Sequence, residues 1–235
     1  MDERIEIPPR FNGPPGSANG GYCCGCVAAL FPDAPSVEVS LRSPPPLGRP
    51  LRAEREDGGL RVLDGETLVA EGGPAELSLD TPAPVSPEEA EGASEAGLER
   101  WSQGHPFPTC FVCGPEREPG DGLRIFPGAL DGEGRFACTL TPGGAEGTVP
   151  GEVVWSALDC PTSAPGANWS EGPPVVLARL TARLHAPVHA GRRHVVMSWP
   201  LAVDGRKREA GSALYSPDGE VVASARALWI ELRTA

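Results

Sequence analysis

No apolar run in these 235 residues approaches the roughly 20 needed to span a bilayer, and none follows the charged start Met1-Asp2-Glu3-Arg4. The first absence argues against a membrane-spanning helix and the second against a signal peptide. The expectation is a soluble, cytoplasmic protein with no membrane partner. Positive charge is scarce as well: 20 Lys and Arg stand against 32 Asp and Glu, a formal net charge of −12. That balance excludes nucleic acid as a general partner, because phosphate contacts dominate such affinity. The seven cysteines are odd in number and scattered through a chain of intracellular character, which argues against a disulfide framework. Cys110-x-x-Cys113 has the spacing of half a zinc site, with His105 nearby, but no second CxxC completes it. No metal and no cofactor are expected.

What the chain does have is turn formers, 28 Pro and 30 Gly, around an apolar content sufficient for a core. The stretch from Thr81 to Gln103 is a seam. Pro82, Pro84 and Pro87 lead into an Ala/Glu/Ser-rich run that reads as a solvated linker carrying one helix from Pro87 to Trp101. This gives an N-terminal unit over 1–80, a linker over 81–104 and a C-terminal unit over 105–235. The same order of elements recurs on both sides of the seam. In the first unit a helix over Asn19–Leu30 precedes alternating strands at Val37–Leu41, Leu51–Glu56, Leu60–Leu63 and Thr67–Ser78. In the second, strands at Gly122–Pro127 and Arg135–Thr141 precede a helix over Glu152–Cys160. Strands at Val175–His185, His194–Val203, Arg208–Ser216 and Val221–Leu232 follow it. Asp64-Gly65-Glu66-Thr67-Leu68-Val69-Ala70 and Asp218-Gly219-Glu220-Val221-Val222-Ala223 mark the same turn and strand in each. Only Ile5–Pro8 is a strand candidate before the first helix, so the first unit is trimmed. One helix inserted early into a run of antiparallel strands, twice, is α+β rather than a parallel βαβ fold. Trp155, Trp199 and Trp229 fall in element interiors and are expected in the core.

Two segments carry complementary chemistry. Ser17-Ala18-Asn19-Gly20-Gly21-Tyr22 runs from a loop into the first helix with two glycines, and that helix carries no acid. Gly151-Glu152-Val153-Val154-Trp155-Ser156-Ala157-Leu158-Asp159 starts the second helix and places a carboxylate two turns in. Packing the two helices side by side would join bare backbone donors to an acid. From Glu171 to Ala235 nine Arg or Lys face six Asp or Glu, so this stretch is basic within an acidic chain. It would suit an anionic ligand such as a nucleotide-tailed thioester.

Cys110-Phe111-Val112-Cys113-Gly114-Pro115, then Gly122-Leu123-Arg124-Ile125, then Leu158-Asp159 resembles the phenylacetate-pathway type of acyl-CoA thioesterase. The duplicated whole, about 200 residues, resembles a double-hotdog thioesterase, with two tandem hotdog units, each a curved antiparallel sheet wrapped around one central helix. The resemblance implies an acyl-CoA thioesterase with one site between the halves, acting on acyl-CoA or another acyl thioester. It places the carbonyl-polarising N–H on Gly20 or Gly21, the acid on Asp159 and an assisting hydroxyl on Ser163. Around these, Asn19, Tyr22 and Thr162 would line the substrate site, with local turn formation the other reading of Thr162 and Ser163. Separately, the basic run at the strand junction after Asp204-Gly205 would let Arg206 and Lys207 meet a phosphate, or is a plain exposed turn. Asn19-Gly20-Gly21 stands where the family has His-Gly-Gly, and the second helix starts Pro150-Gly151-Glu152 instead. The first helix has Ala28 at the acid position, which leaves at most one working site. Pro161 and Pro165 end or kink the second helix just beyond the acid.

In this chemistry the first four N–H groups of a helix lack intrahelical partners and carry the positive end of its dipole, so they stabilise a developing oxyanion. Asp159 would be a general base on water or a nucleophile forming a mixed anhydride. A hotdog hydratase also uses an Asp, paired with a His at the same helix start, and no His lies between Arg135 and Arg183. A degenerate double hotdog that binds acyl groups without turnover is the other alternative. A monomer and a homodimer of double-hotdog chains both fit.

Overall fold

The computed structural model describes residues 3–130, 134–144, 146–165 and 173–233. The first half contributes β1 (Glu3–Glu6), α1 (Gly20–Ala28), β2 (Val37–Leu41), β3 (Pro50–Glu56), β4 (Gly59–Asp64) and β5 (Thr67–Pro74). After α2 (Pro87–Ser102) come β6 (Gly128–Ala129), β7 (Phe136–Leu140), α3 (Gly151–Asp159), β8 (Val175–Leu184), β9 (His194–Asp204), β10 (Lys207–Tyr215) and β11 (Val221–Glu231). The eleven strands form one antiparallel sheet in the order β1-β3-β4-β5-β2-β8-β11-β10-β9-β7-β6. All strands of the first half lie on one side of the β2–β8 seam and all strands of the second on the other. Val37–Ser40 pair there with Ala182–Arg179. The outermost strands are the shortest, four residues in β1 and two in β6. Among the described residues, no helix is long and apolar enough to cross a membrane.

Alternation along the strands sets which side chains enter the core. On β2, Val37 and Val39 are buried, and on β11 Ala223, Ala225, Ala227 and Trp229 line one buried face. The hairpin glycines Gly65 and Gly219 have φ of 60° and 84°, the left-handed backbone those two turns require. Two expected elements differ. Residues 122–127 form no strand, because the Leu123 and Ile125 N–H groups donate to the carbonyls of Phe111 and Val112 and hold the CxxC loop instead. The Thr67–Ser78 strand stops at Pro74. The helix expected in the linker is present, started by a capping box between Ser86 and Glu89 with Pro87 in its first turn. It is more than a solvated connector, since Ala90, Ala93, Gly97 and Trp101 are buried. A Cβ on Gly97 would stand 2.0 Å from the Phe126 carbonyl oxygen, and the Trp101 indole N–H donates to the Pro127 carbonyl at 3.1 Å.

Inside the sheet α1 and α3 cross antiparallel at very short range. A Cβ built on Gly21 would lie 2.4 Å from the Asp159 Cβ, and one built on Gly25 would lie 2.4 Å from the Glu152 Cα. The glycines four apart form a notch one turn long, and α3 occupies it. This crossing delivers the end of α3 to the start of α1. Gly25→Ala is expected to force the helices apart and cost at least about 2 kcal/mol. Gly92→Ala, on the open face of α2 with nothing within 4 Å of the new Cβ, is expected to stabilise by roughly 0.5–1 kcal/mol. Urea unfolding of the two variants checks the pair. Equal effects would show that the notch is not a packing constraint.

Candidate functional site

Four N–H groups at the start of α1 need acceptors outside the helix ladder. The Asn19 N–H donates to the Phe11 carbonyl, and the Tyr22 N–H donates to the Asn19 Oδ1 at 2.9 Å, the N-cap bond expected of Asn. The Gly21 N–H donates to Asp159 Oδ2 at 2.8 Å. Gly20's is the one left without an acceptor among the described residues. Capping fixes the Asn19 amide with its oxygen toward the helix, so its nitrogen points the other way and donates to the same Asp159 Oδ2 at 3.0 Å. Asn19 and Asp159 are both buried, 2% and 1% exposed. The second carboxylate oxygen, Oδ1, is buried with no hydrogen-bond partner among the described residues.

The far end of α3 is held as firmly. Three hydroxyls satisfy carbonyls at its end and just beyond: Ser212 of β10 donates to Leu158 at 2.8 Å, Thr162 to Asp159 at 2.5 Å and Ser163 to Cys160 at 2.7 Å. Thr162 in turn accepts from the Trp229 indole N–H at 2.8 Å. Pro161 has no N–H to extend the ladder, and the helix gives way to a 3-10 turn over Cys160–Ser163. Burial pushes the Asp159 carboxyl up from the ordinary 3.8 to about 7. The Gly21 N–H opposes that rise, Cys110 adds to it and the Asn19 amide opposes it.

Asp159, Asn19 and Gly20 line a cavity of about 610 Å³ whose other walls are mainly apolar, including Leu41, Val175, Leu177, Trp229, Ile230 and Leu232. Ser163 also lines it, but its hydroxyl is engaged with the Cys160 carbonyl. Thr162 works behind the wall, between Asp159 and Trp229. Tyr22 is stacked on Phe11 at 3.8 Å between ring centroids, away from the cavity wall. Gly21 has its N–H committed to Asp159, so Gly20 is the donor still available. The basic pair expected to meet a phosphate is elsewhere. Arg206 donates to the Glu231 carbonyl and Lys207 lies 3.9 Å from Asp204 in the exposed β9–β10 turn. Two of the C-terminal basic residues pair with acids outside that stretch, Arg179 with Glu38 and Arg193 with Glu88 and Glu91. Cavity residues outside the expected set include His105, Phe107, Cys110, Cys113 and Cys160. His105 accepts the Phe107 N–H through Nδ1, and burial lowers its pKa to about 4, so its ring is neutral. Cys160 follows Asp159 directly in sequence, the one signal that it would reach the site.

No protein-family model matches the chain and no curated protein matches it. Solved structures do. A conserved protein of unknown function with hot dog fold from Alicyclobacillus acidocaldarius is 10% identical, covering 99% of this chain and 93% of that one at a TM-score of 0.62. The tesB protein of Mycobacterium avium subs paratuberculosis is 14% identical, covering 98% and 92% at 0.60. An acyl-CoA thioesterase II from Mycobacterium marinum is 11% identical, covering 93% and 91% at 0.59. The fold is therefore the α+β hotdog arrangement, two units in one chain.

Because the folded pKa of Asp159 lies above its unfolded value, the folded state holds the extra proton between pH 4 and 7, and stability falls as pH rises through that window. From pH 5 to 8 the loss is roughly 2–3 kcal/mol. Urea unfolding at both pH values, in buffer containing a metal chelator, is expected to show this loss as the difference between wild type and Asp159→Asn, because the buried neutral His105 adds a slope of opposite sign to both proteins. Identical pH slopes in the two proteins would refute the assignment.

Proposed function

We propose that this protein hydrolyses an acyl thioester at the α1–α3 junction. The observation that carries the reading is the pairing of Asp159, buried with Oδ1 unengaged, with the uncommitted Gly20 N–H at the start of the facing helix. In thioester hydrolysis the carbonyl oxygen gains negative charge, and a helix-start N–H with no side chain beside it can meet that oxygen. Gly20 lines the cavity without a Cβ, and one built there would press on Leu177 Cδ2 at 2.9 Å and Leu41 Cδ1 at 3.1 Å, two side chains of the same wall.

Asp159 supplies the second half. Its Oδ2 is anchored by Gly21 and Asn19, which fixes the plane of the carboxylate and leaves Oδ1 to take a proton from water or to attack the carbonyl carbon. A pKa near 7 suits proton transfer at neutral pH, since the group is then both partly ionised and basic enough to accept. The apolar walls suit an acyl chain, and the fold likeness to an acyl-CoA thioesterase II supports acyl-CoA as the substrate class. Thr162 and Ser163 act through the backbone of α3 as positioning residues.

The pseudo-equivalent position in the first half is Ala28, so the chain carries one such pairing. That asymmetry also fits a protein that binds acyl thioesters without turning them over, and one experiment separates the two. Release of free thiol from short, medium, aromatic and long acyl-CoAs is compared between wild type and Asp159→Ala. Turnover that falls at least about a hundredfold in the variant is the expected result. Thermal stabilisation by an acyl-CoA with no turnover on the whole panel would overturn hydrolysis in favour of binding.

A further inference from the structure

The hydrolytic reading leaves three buried thiols on the cavity wall unused. Cys110 and Cys113 come from the loop before β6, and Cys160 from the residue after Asp159, 47 positions beyond Cys113. Their three sulfur atoms lie within 4.8 Å of one another, with Cys110 and Cys160 at 3.9 Å, and all three are free thiols. Tetrahedral zinc at its usual Zn–S distance separates two of its sulfurs by about 3.8 Å. The thiols therefore already stand near the edge length of that coordination tetrahedron.

The surrounding chain is built to keep them there. The Gly114 N–H donates back to the Cys110 carbonyl, and a Cβ on Gly114 would lie 2.5 Å from that oxygen. Only glycine closes this CxxCG turn. Phe111 is held on both sides, its N–H on the Asn12 carbonyl and its carbonyl by Leu123 N–H, while Ile125 N–H fixes Val112. On the opposite face Asn19 presents its amide nitrogen to the sulfurs of Cys160 at 3.6 Å and Cys110 at 3.9 Å. N–H donors aimed at sulfur are what stabilise thiolates around a metal ion. His105 is not a fourth ligand, because Nδ1 accepts the Phe107 N–H and the neutral ring then carries its proton on the other nitrogen. Asp159 lies outside the group of atoms that share this spacing.

We propose that Cys110, Cys113 and Cys160 bind one zinc ion through their thiolates, with the fourth coordination position open to the cavity. Binding displaces the thiol protons to solvent, and water or a ligand atom completes the tetrahedron. The ion ties the CxxC loop to the end of α3 and so fixes the residue next to Cys160, which is Asp159. The site stands whether or not the protein hydrolyses thioesters.

The test uses full-length protein, purified under reductant and stripped with a chelator, then titrated with Co²⁺ as a spectroscopic probe. One equivalent is expected to give sulfur-to-cobalt charge-transfer absorption and the intense visible bands of a tetrahedral site. Cys110→Ser and Cys160→Ser are each expected to weaken cobalt binding at least about a hundredfold. Cys138→Ser, a buried cysteine outside the cluster, is expected to leave it unchanged. Should the cluster variants fail to fold, the wild type alone decides, since its thermal midpoint must rise with stoichiometric Zn²⁺ and return with chelator. Absence of the charge-transfer band in reduced wild type, or a midpoint indifferent to zinc, overturns the proposal.

Discussion

Two helices cross inside the sheet with so little between them that Gly21 and Gly25 of α1 face α3 directly. Any side chain at either position would have to pass through atoms of Asp159 or the backbone of Glu152. The antiparallel sense of the crossing then does the rest. The positive end of one helix meets the last residue of the other, and a carboxylate that burial alone would keep protonated receives two N–H donors in compensation. Without that proximity Asp159 would be a buried acid without the two N–H donors that now meet it.

The tandem arrangement explains why the two ends of the crossing differ. In a symmetric pair of chains every substitution appears twice, so a residue that improves one end also alters the other. Joined in a single chain, the halves can specialise. The first supplies the glycine start and Asn19, the second supplies Asp159 and the hydroxyls that hold its backbone. At the other end the last residue of α1 is Ala28, which supplies no carboxylate to the Pro150-Gly151-Glu152 start of α3. The CxxC loop, which belongs to the second half, leans across the seam through its bond to Asn12 and packs Phe111 against Phe11 and Tyr22.

Most strands could be read from alternation because each has one face on the core, and that burial leaves a period of two in the sequence. The pairing of Asn19-Gly20-Gly21 with Asp159 was legible for a similar reason, since a helix start without an acid and a helix with an acid and no glycine pair are incomplete apart. Residues 122–127 misled because they alternate like a strand, yet their donors go to a loop rather than a ladder. The resemblance implies a substrate-facing hydroxyl at Ser163 with Thr162 beside it, whereas Thr162 bonds the Asp159 carbonyl and Ser163 the Cys160 carbonyl, as local turn formers do. Capping leaves no pattern distinct from any Ser or Thr near a helix end. Arg206 and Lys207 misled through charge counting, which cannot say which acids lie opposite after folding. That Cys160 joins the CxxC thiols was not legible, because no spacing rule links it to a loop 47 residues upstream.

An eleven-stranded antiparallel sheet exposes two margins whose unpaired N–H and C=O groups could template further strands. Here those margins are β1, with four residues, and β6, with two, while the long strands β8 to β11 all lie between partners. A passing chain would find only a short stretch of free ladder at either side. The molecule can thus carry so wide a sheet and still resist growing edge to edge into fibres.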